Sequence, residues 1–359
     1  QIRMNKKSKI LFLSPYPFGK APSQRLKYEQ YYDAFQNAGF DITTSSFISL
    51  SFWKIIYQEG HYFGKIFYTV LGYFRRCFDL LRIRKFDVVY VHLWVTPLGF
   101  PIFEYLVCLF AKKVIYDIDD MIYLNNNSNR WIDKIKGRNK PIVLMKKANH
   151  IVVCSPFLAD FVRQYNTNIT TILATYDTEK SLPLKTHIDK EPIIIGWTGT
   201  HSTLKYLSII APVLEKISKI RNIKFLVICN AIYKNSNIEV ENIAWSAEHE
   251  YEDLRMIDIG LYPLEKEEWV LGKSGNKALA YMNLGIPCIA TNYGTNQVVI
   301  ENGKNGFLAD DASDWEKYLL QLIDDIELRK RIGTKARQSV EAKYSVQKNT
   351  QTYLDLIVQ

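Results

Sequence analysis

Residues 272–296 read GKSGNKALAYMNLGIPCIATNYGTN, and their order of elements decides the fold. A loop carrying glycines and lysines, Gly272-Lys273-Ser274-Gly275-Asn276-Lys277, opens a helix that runs through Tyr281 and Met282. Gly285-Ile286-Pro287 stops that helix, and PCIATNYG follows as a short run too apolar for a half-exposed strand. Such runs are central strands of a parallel sheet, buried on both faces. The strand ends in a second turn, Asn292-Tyr293-Gly294-Thr295-Asn296. Loop, helix, buried strand and loop form the repeating unit of an α/β domain.

The same alternation extends upstream through IDIGLYPL and KFLVICN to IIIGWTG, residues 193–199. Before it, residues 177–192 are polar and broken by Pro183 and Pro192, which reads as a linker. A second alternating series precedes the linker. KILFLS (9–14) is its first strand, followed by a loop with Pro15, Pro17, Gly19 and Pro22 and a helix expected over Ser23–Ala38. Gly39 ends the helix, and strands are expected at Phe40–Thr44, Phe86–Leu93, Lys112–Asp120 and His150–Ser155. The close of the chain, 315–359, is charged and helical in period. At 359 residues, two domains fit better than one. The expected architecture is two doubly wound α/β domains facing a central cleft. Residues 1–176 form the first, 177–192 the linker and 193–340 the second, with a helix over 341–359 packing back towards the first. Met4 is the expected start of the natural chain.

A composition of 47% hydrophobic and 23% charged residues suits a chain with an ample core. The net charge of +9 is concentrated. Between Phe52 and Lys85 lie Lys54, Lys65, Arg75, Arg76, Arg82, Arg84 and Lys85, opposed only by Glu59 and Asp79. The stretch is also rich in Phe, Tyr and Ile, which suits an anionic membrane surface. A packed helix pair with a solvated basic face reads the same way. No nucleic-acid motif accompanies the charge, so a nucleic-acid partner is not expected. The five cysteines are scattered in apolar runs without a CxxC pair, which points to neither a zinc site nor a disulfide framework. No signal-like stretch opens the chain, and its longest uncharged run, 88–103, contains Pro97 and Pro101. A cytoplasmic protein, or one peripheral at the inner face of a membrane, is expected.

Two turns have the chemistry of anion sites. In Gly196-Trp197-Thr198-Gly199-Thr200-His201-Ser202-Thr203-Leu204-Lys205 a strand enters a glycine-bearing turn and a helix begins. Free N–H groups and the positive helix end favour a diphosphate there; an ordinary capped turn would look alike. The 272–277 loop adds two lysines and two glycines at a helix start.

The run GKSGNKALAYMNLGIPCIATNYGTNQVVIENGKNGFL (272–308) resembles the C-terminal signature of the family 4 (group 1) bacterial glycosyltransferases. IGWTGTHSTLKYL (195–207) is similar to the first strand-loop-helix of the same domain, and Leu328, Arg329, Ala336, Arg337 and Tyr344 to its ending. SPYPFGKAPSQRLKY (14–28), with Ser23 and Arg25, resembles the family's N-terminal loop facing the donor phosphates. The resemblance implies a GT-B fold of two Rossmann-like domains, a nucleoside-diphosphate sugar donor and retention at the anomeric carbon. It implies no metal and no cofactor besides the nucleotide-sugar co-substrate.

Carried over by position, Lys205 and Lys273 would neutralise the diphosphate leaving group. Gly199, Thr200, His201, Ser274, Gly275, Asn276, Lys277, Gly294, Thr295 and Asn296, with Ser23 and Arg25, would bind the donor. The family's two glutamates, seven residues apart, are replaced by Gly272 and Ala280. Asp117-Ile118-Asp119-Asp120 also resembles the metal-binding sign of single-domain GT-A enzymes. Inside a first Rossmann half it reads instead as a strand end where Asp119 or Asp120 orients or deprotonates an acceptor hydroxyl; a helix cap is the structural alternative. The family often places an acceptor-side histidine at such strand ends, which nominates His92. The implied activity is sugar transfer to a hydroxyl of a glycan or polyprenyl-linked glycan in surface polysaccharide assembly. An epimerase of the same fold and a non-catalytic nucleotide-sugar or glycan-binding protein are the alternatives.

Overall fold

The computed structural model describes residues 8–124, 137 and 139–358; Met4 lies outside them. The chain divides into two compact units, Gln1–Leu173 with Thr350–Gln359, and Ala174–Asn349.

Among the described residues the first unit is built on a six-stranded parallel sheet. Its strands are β1 (Lys9–Ser14), β2 (Asp41–Ser46), β3 (Val88–His92), β4 (Val114–Ile118), β5 (His150–Val153) and β6 (Ile169–Thr171), in the order β2-β1-β3-β4-β5-β6. The strands are apolar on both faces because helices cover both. Ile10, Leu11, Phe12, Val89, Tyr90, Val91, Ile115 and Tyr116 are all sealed from solvent. Register pairs Val91 with Tyr116 and His92 with Asp117, which sets a histidine beside a carboxylate at the carboxyl end of the sheet. The order reverses at β1 and β3, a switch point where open α/β sheets bind ligands.

The helix expected over Ser23–Ala38 is broken. A short helix Pro22–Arg25 is followed by a 3-10 turn at Tyr28–Tyr31 and a helix at Tyr32–Asn37. The break falls at Lys27, whose backbone (φ −122°, ψ −116°) leaves helical space, and the Lys27 side chain pairs with Asp117 inside the unit.

The second unit's sheet comprises β7 (Ile193–Thr198), β8 (Ile223–Cys229), β9 (Val240–Ala244), β10 (Ile259–Tyr262), β11 (Cys288–Thr291) and β12 (Phe307–Ala309). All the pairings are parallel and the order is β12-β11-β10-β7-β8-β9, with the switch point between β7 and β10. Trp197, Phe225, Leu261, Ile289 and Trp315 meet in its core. The polar segment 177–192 lies against this unit. Lys185 donates its N–H to Leu284 O (2.8 Å), and its ammonium pairs with Asp258 at 2.7 Å. Buried Arg337 ties it down further, donating to Ser181 Oγ at 2.7 Å and to Asn283 O. That clamp holds the carboxyl end of the helix Asn276–Asn283.

Candidate functional site

In the second unit three loops converge at the carboxyl ends of β7, β10 and β11. The first follows β7. Gly199 lies so close to the Trp197 ring that a Cβ would sit 2.3 Å from it, so only glycine fits this approach. Thr200 then caps the 3-10 helix His201–Ile209 reciprocally with Thr203, and Asn230 accepts the His201 N–H at 2.9 Å. Lys205 stands half a turn further, exposed, its ammonium 3.7 Å from Glu265 and 3.8 Å from Glu267.

The second loop, 263–277, follows β10 and brings Lys273 3.8 Å above the Trp269 ring. Gly275 takes φ +68°, the left-handed turn that lets the helix Asn276–Asn283 start at once. Asn276 is held by Tyr176, whose hydroxyl donates to its Oδ1 at 2.7 Å. Lys277, half-buried, lies 5.1 Å from the Tyr262 ring and 5.8 Å from that of Trp197. Burial, reinforced by Lys273, pushes its ammonium down to about 7. Ser274, the remaining donor candidate here, is half-buried.

The third loop is Asn292–Asn296. Gly294 turns at φ +59°. Asn296 Nδ2 donates to Thr291 O at 3.0 Å, while buried Thr295 Oγ1 and Asn296 Oδ1 have no hydrogen-bond partner. Thr295 Cγ2 would lie 3.4 Å from a Cβ on Gly275, so the second and third loops touch. The residues nominated from these three turns therefore share one end of one sheet. The arrangement offers ammonium groups, a helix start and the unpartnered Thr295 hydroxyl to an anionic ligand.

The first unit carries a different chemistry at its own switch point. Asp117 is fully buried and is the hub of a network. Lys27 pairs with its Oδ1, Tyr90 donates to its Oδ2 at 2.8 Å, and His92 Nδ1 lies 3.4 Å from the same oxygen. Burial, the largest single influence, would raise this carboxyl, but the Lys27 ammonium and His92 together outweigh it and hold Asp117 at about 2. The other His92 nitrogen lies 4.0 Å from Asp119 Oδ1. Burial raises the Asp119 carboxyl above its ordinary value. Leu93, next along, is held at φ +58°, a costly backbone for a branched residue. It marks the sharp exit of β3 that leaves His92 between the two aspartates. Asp120 accepts the Met121 N–H at 2.8 Å, the geometry of a turn.

Ser23 and Arg25 lie on the short helix after β1. Gln24 between them is the pin of that loop: it donates to Glu29 Oε1 (2.8 Å) and Tyr16 O (3.1 Å) and accepts the Tyr16 N–H (2.9 Å). Lys27 and Tyr90 were not among the nominated residues, and Asp117 entered only as part of the Asp117-Ile118-Asp119-Asp120 motif. The available signal was a lone lysine in Leu26-Lys27-Tyr28 and an aspartate inside an otherwise apolar strand, both costly to bury unless paired.

Residues 192–325 match the family Glycosyl transferases group 1. N-acetyl-alpha-D-glucosaminyl L-malate synthase of Bacillus anthracis is 33% identical over 102 residues, 28% of this chain and 26% of the relative. The match thus spans about a quarter of that curated relative's length. Among solved structures, sucrose-phosphate synthase from Thermosynechococcus elongatus superposes with a TM-score of 0.70 at 13% identity, over 98% of both chains. HepE of Anabaena, solved with UDP and glucose, superposes with a TM-score of 0.67 at 12% identity, over 98% of this chain and 99% of its own. The fold is the GT-B arrangement of two Rossmann-like domains, and 192–325 carry the group 1 domain.

Proposed function

From that group 1 domain we propose that the chain is a glycosyltransferase moving a sugar from a nucleoside-diphosphate donor to a hydroxyl of a glycan or lipid-linked glycan. The observation that supports it most is the meeting of Lys205, Lys273, Lys277 and the start of the helix Asn276–Asn283 at the β7/β10 switch point. Charge grows on the diphosphate as the glycosidic bond breaks, and pre-placed ammonium and N–H groups stabilise it. The ion pairs of Lys205 are long and solvent-exposed on both sides, so they are weak and yield to a phosphate. Ser23 and Arg25 keep the donor-side role that the resemblance implies.

In the first unit, Asp119 receives the hydrogen bond of the acceptor hydroxyl, and His92 is steadied behind it by Asp117. In this reading transfer proceeds with retention, needs no metal, and serves surface polysaccharide assembly at the inner face of a bacterial membrane. HepE, with UDP and glucose bound, supports the donor class by similarity of fold.

A thermal-shift panel with UDP, GDP, CMP and dTDP, each with EDTA or Mn²⁺, tests the reading, because a ligand of the folded state raises its melting temperature. A rise with one diphosphate in EDTA is expected. A rise confined to Mn²⁺ would transfer the role of the lysines to a cation, and no rise with any nucleotide would remove the donor assignment.

A further inference from the structure

The helix Tyr62–Arg82 is amphipathic in the inverse sense. Its buried residues are Gly72, Arg76 and Asp79. Phe63, Phe67, Val70, Phe74, Phe78 and Leu81 face solvent, with exposures from 46% at Val70 to 92% at Phe63. At 3.6 residues per turn these six fall on one stripe roughly 100° wide. The orientation is locked from the polar side. Arg76 donates to Val95 O (2.8 Å), Ser45 O (2.9 Å) and Ser14 O (2.9 Å), and pairs with Asp79 at 3.1 Å. Rolling the helix to bury the stripe would strand that guanidinium.

The neighbouring helix Ile102–Phe110 repeats the pattern. Its acid, Glu104, points inward and accepts the Thr96 N–H at 3.0 Å, while Ile102, Tyr105 and Leu109 are exposed. The two helices meet through Tyr73 and Phe103, ring centroids 5.7 Å apart. Contiguous apolar surface on this scale marks an interaction site.

Charge selects the occupant. Lys54, Arg84 and Lys85 are exposed and Lys65, Arg75 and Arg82 half-buried, whereas Asp79 is buried and Glu59 is the one exposed acid of the segment. A second copy would bring like charges together; an anionic lipid surface complements them. No helix of the described residues is long and apolar enough to cross a membrane.

We propose that the exposed face of the helices Tyr62–Arg82 and Ile102–Phe110 docks the chain on an anionic lipid bilayer, the stripe immersed and the basic residues at the headgroups. This deepens the transferase reading, on which it rests for its purpose: it holds the first unit where an acceptor on a lipid carrier lies.

The test is sedimentation of the full chain with phosphatidylcholine vesicles, with and without phosphatidylglycerol, in the absence of donor. The protein should sediment with the anionic vesicles and be released by salt. Phe67→Ser/Phe74→Ser should lower partition about ten-fold or more while melting unchanged, because both rings are exposed. Arg84→Glu/Lys85→Glu should abolish the preference for anionic lipid. Sedimentation with neither vesicle, or equal sedimentation of the phenylalanine variant, overturns the proposal. So does a dimer in analytical ultracentrifugation that the same variant dissociates. The nucleotide-dependent thermal shift is measured on the same protein; its loss would sink the transferase reading and leave the lipid result standing.

Discussion

Lys27 is where the chemistry of the first unit depends most on one side chain. Its ammonium is as deeply buried as its partner Asp117, and a buried charge left alone is far costlier than a buried pair. Lys27→Met should therefore destabilise by about 3–5 kcal/mol in urea melts. Adding Asp117→Asn should recover a large part, since no uncompensated charge then remains. The pair also sets the acid limb of stability. Asp117 is held at about 2 against an ordinary 3.8, so its contribution is present above the unfolded value and is lost as pH falls from 3.8 towards 2. The shift corresponds to roughly 2 kcal/mol. Melts at neutral pH and at pH near 3 should show that loss in the wild type and not in the double variant; equal slopes would sink the assignment. The sequence shows each partner but not the pairing, because the two are 90 residues apart and only the register of β3 and β4 brings His92 to the same carboxylate.

The loop and helix from Gly272 to Asn283 show the opposite case. Lysines, glycines and helix start are contiguous, so local chemistry announces the site, and the helix begins at Asn276 as that chemistry requires. What the sequence could not carry is the state of Lys277, which depends on Trp197 and Tyr262 from other strands. Its ammonium, pushed down to about 7, regains charge when a diphosphate arrives, so binding above that pH must take up a proton. Nucleoside-diphosphate affinity should be level below about pH 7 and weaken above it, by at most about ten-fold per unit. Calorimetry at pH 8 in two buffers of different ionisation enthalpy should show the uptake. Lys277→Arg should remove both the uptake and the slope, because a guanidinium stays charged. The same slope in the arginine variant would place the titration elsewhere.

Across the whole chain, the central strands were legible because burial on both faces makes them continuously apolar: Lys9–Ser14 and Ile193–Thr198 stand where their runs stand. The edge strands Ile169–Thr171, Val240–Ala244 and Phe307–Ala309 were not, being short or half-exposed with little pattern of their own. Residues 350–359 belong with the first unit although the chain has by then built the second. Tyr353 is fully buried, its ring 4.2 Å from that of Tyr31. Lys113 caps the end of the helix Val346–Val358, donating to Leu356 O at 2.7 Å and Ile357 O at 3.2 Å, where a cation suits the helix dipole. The helix is therefore part of the first unit's core, and Tyr353→Ala should cost about 3–5 kcal/mol there, as large aromatic truncations do. Hydrogen exchange read by mass spectrometry separates the units. Amides of β1 and β3 should exchange faster in the variant while those of β7 and β8 keep their rates. If β7 and β8 lose protection equally, the closing helix stabilises the two units as one cooperative body, and the division at Leu173 is not an energetic one.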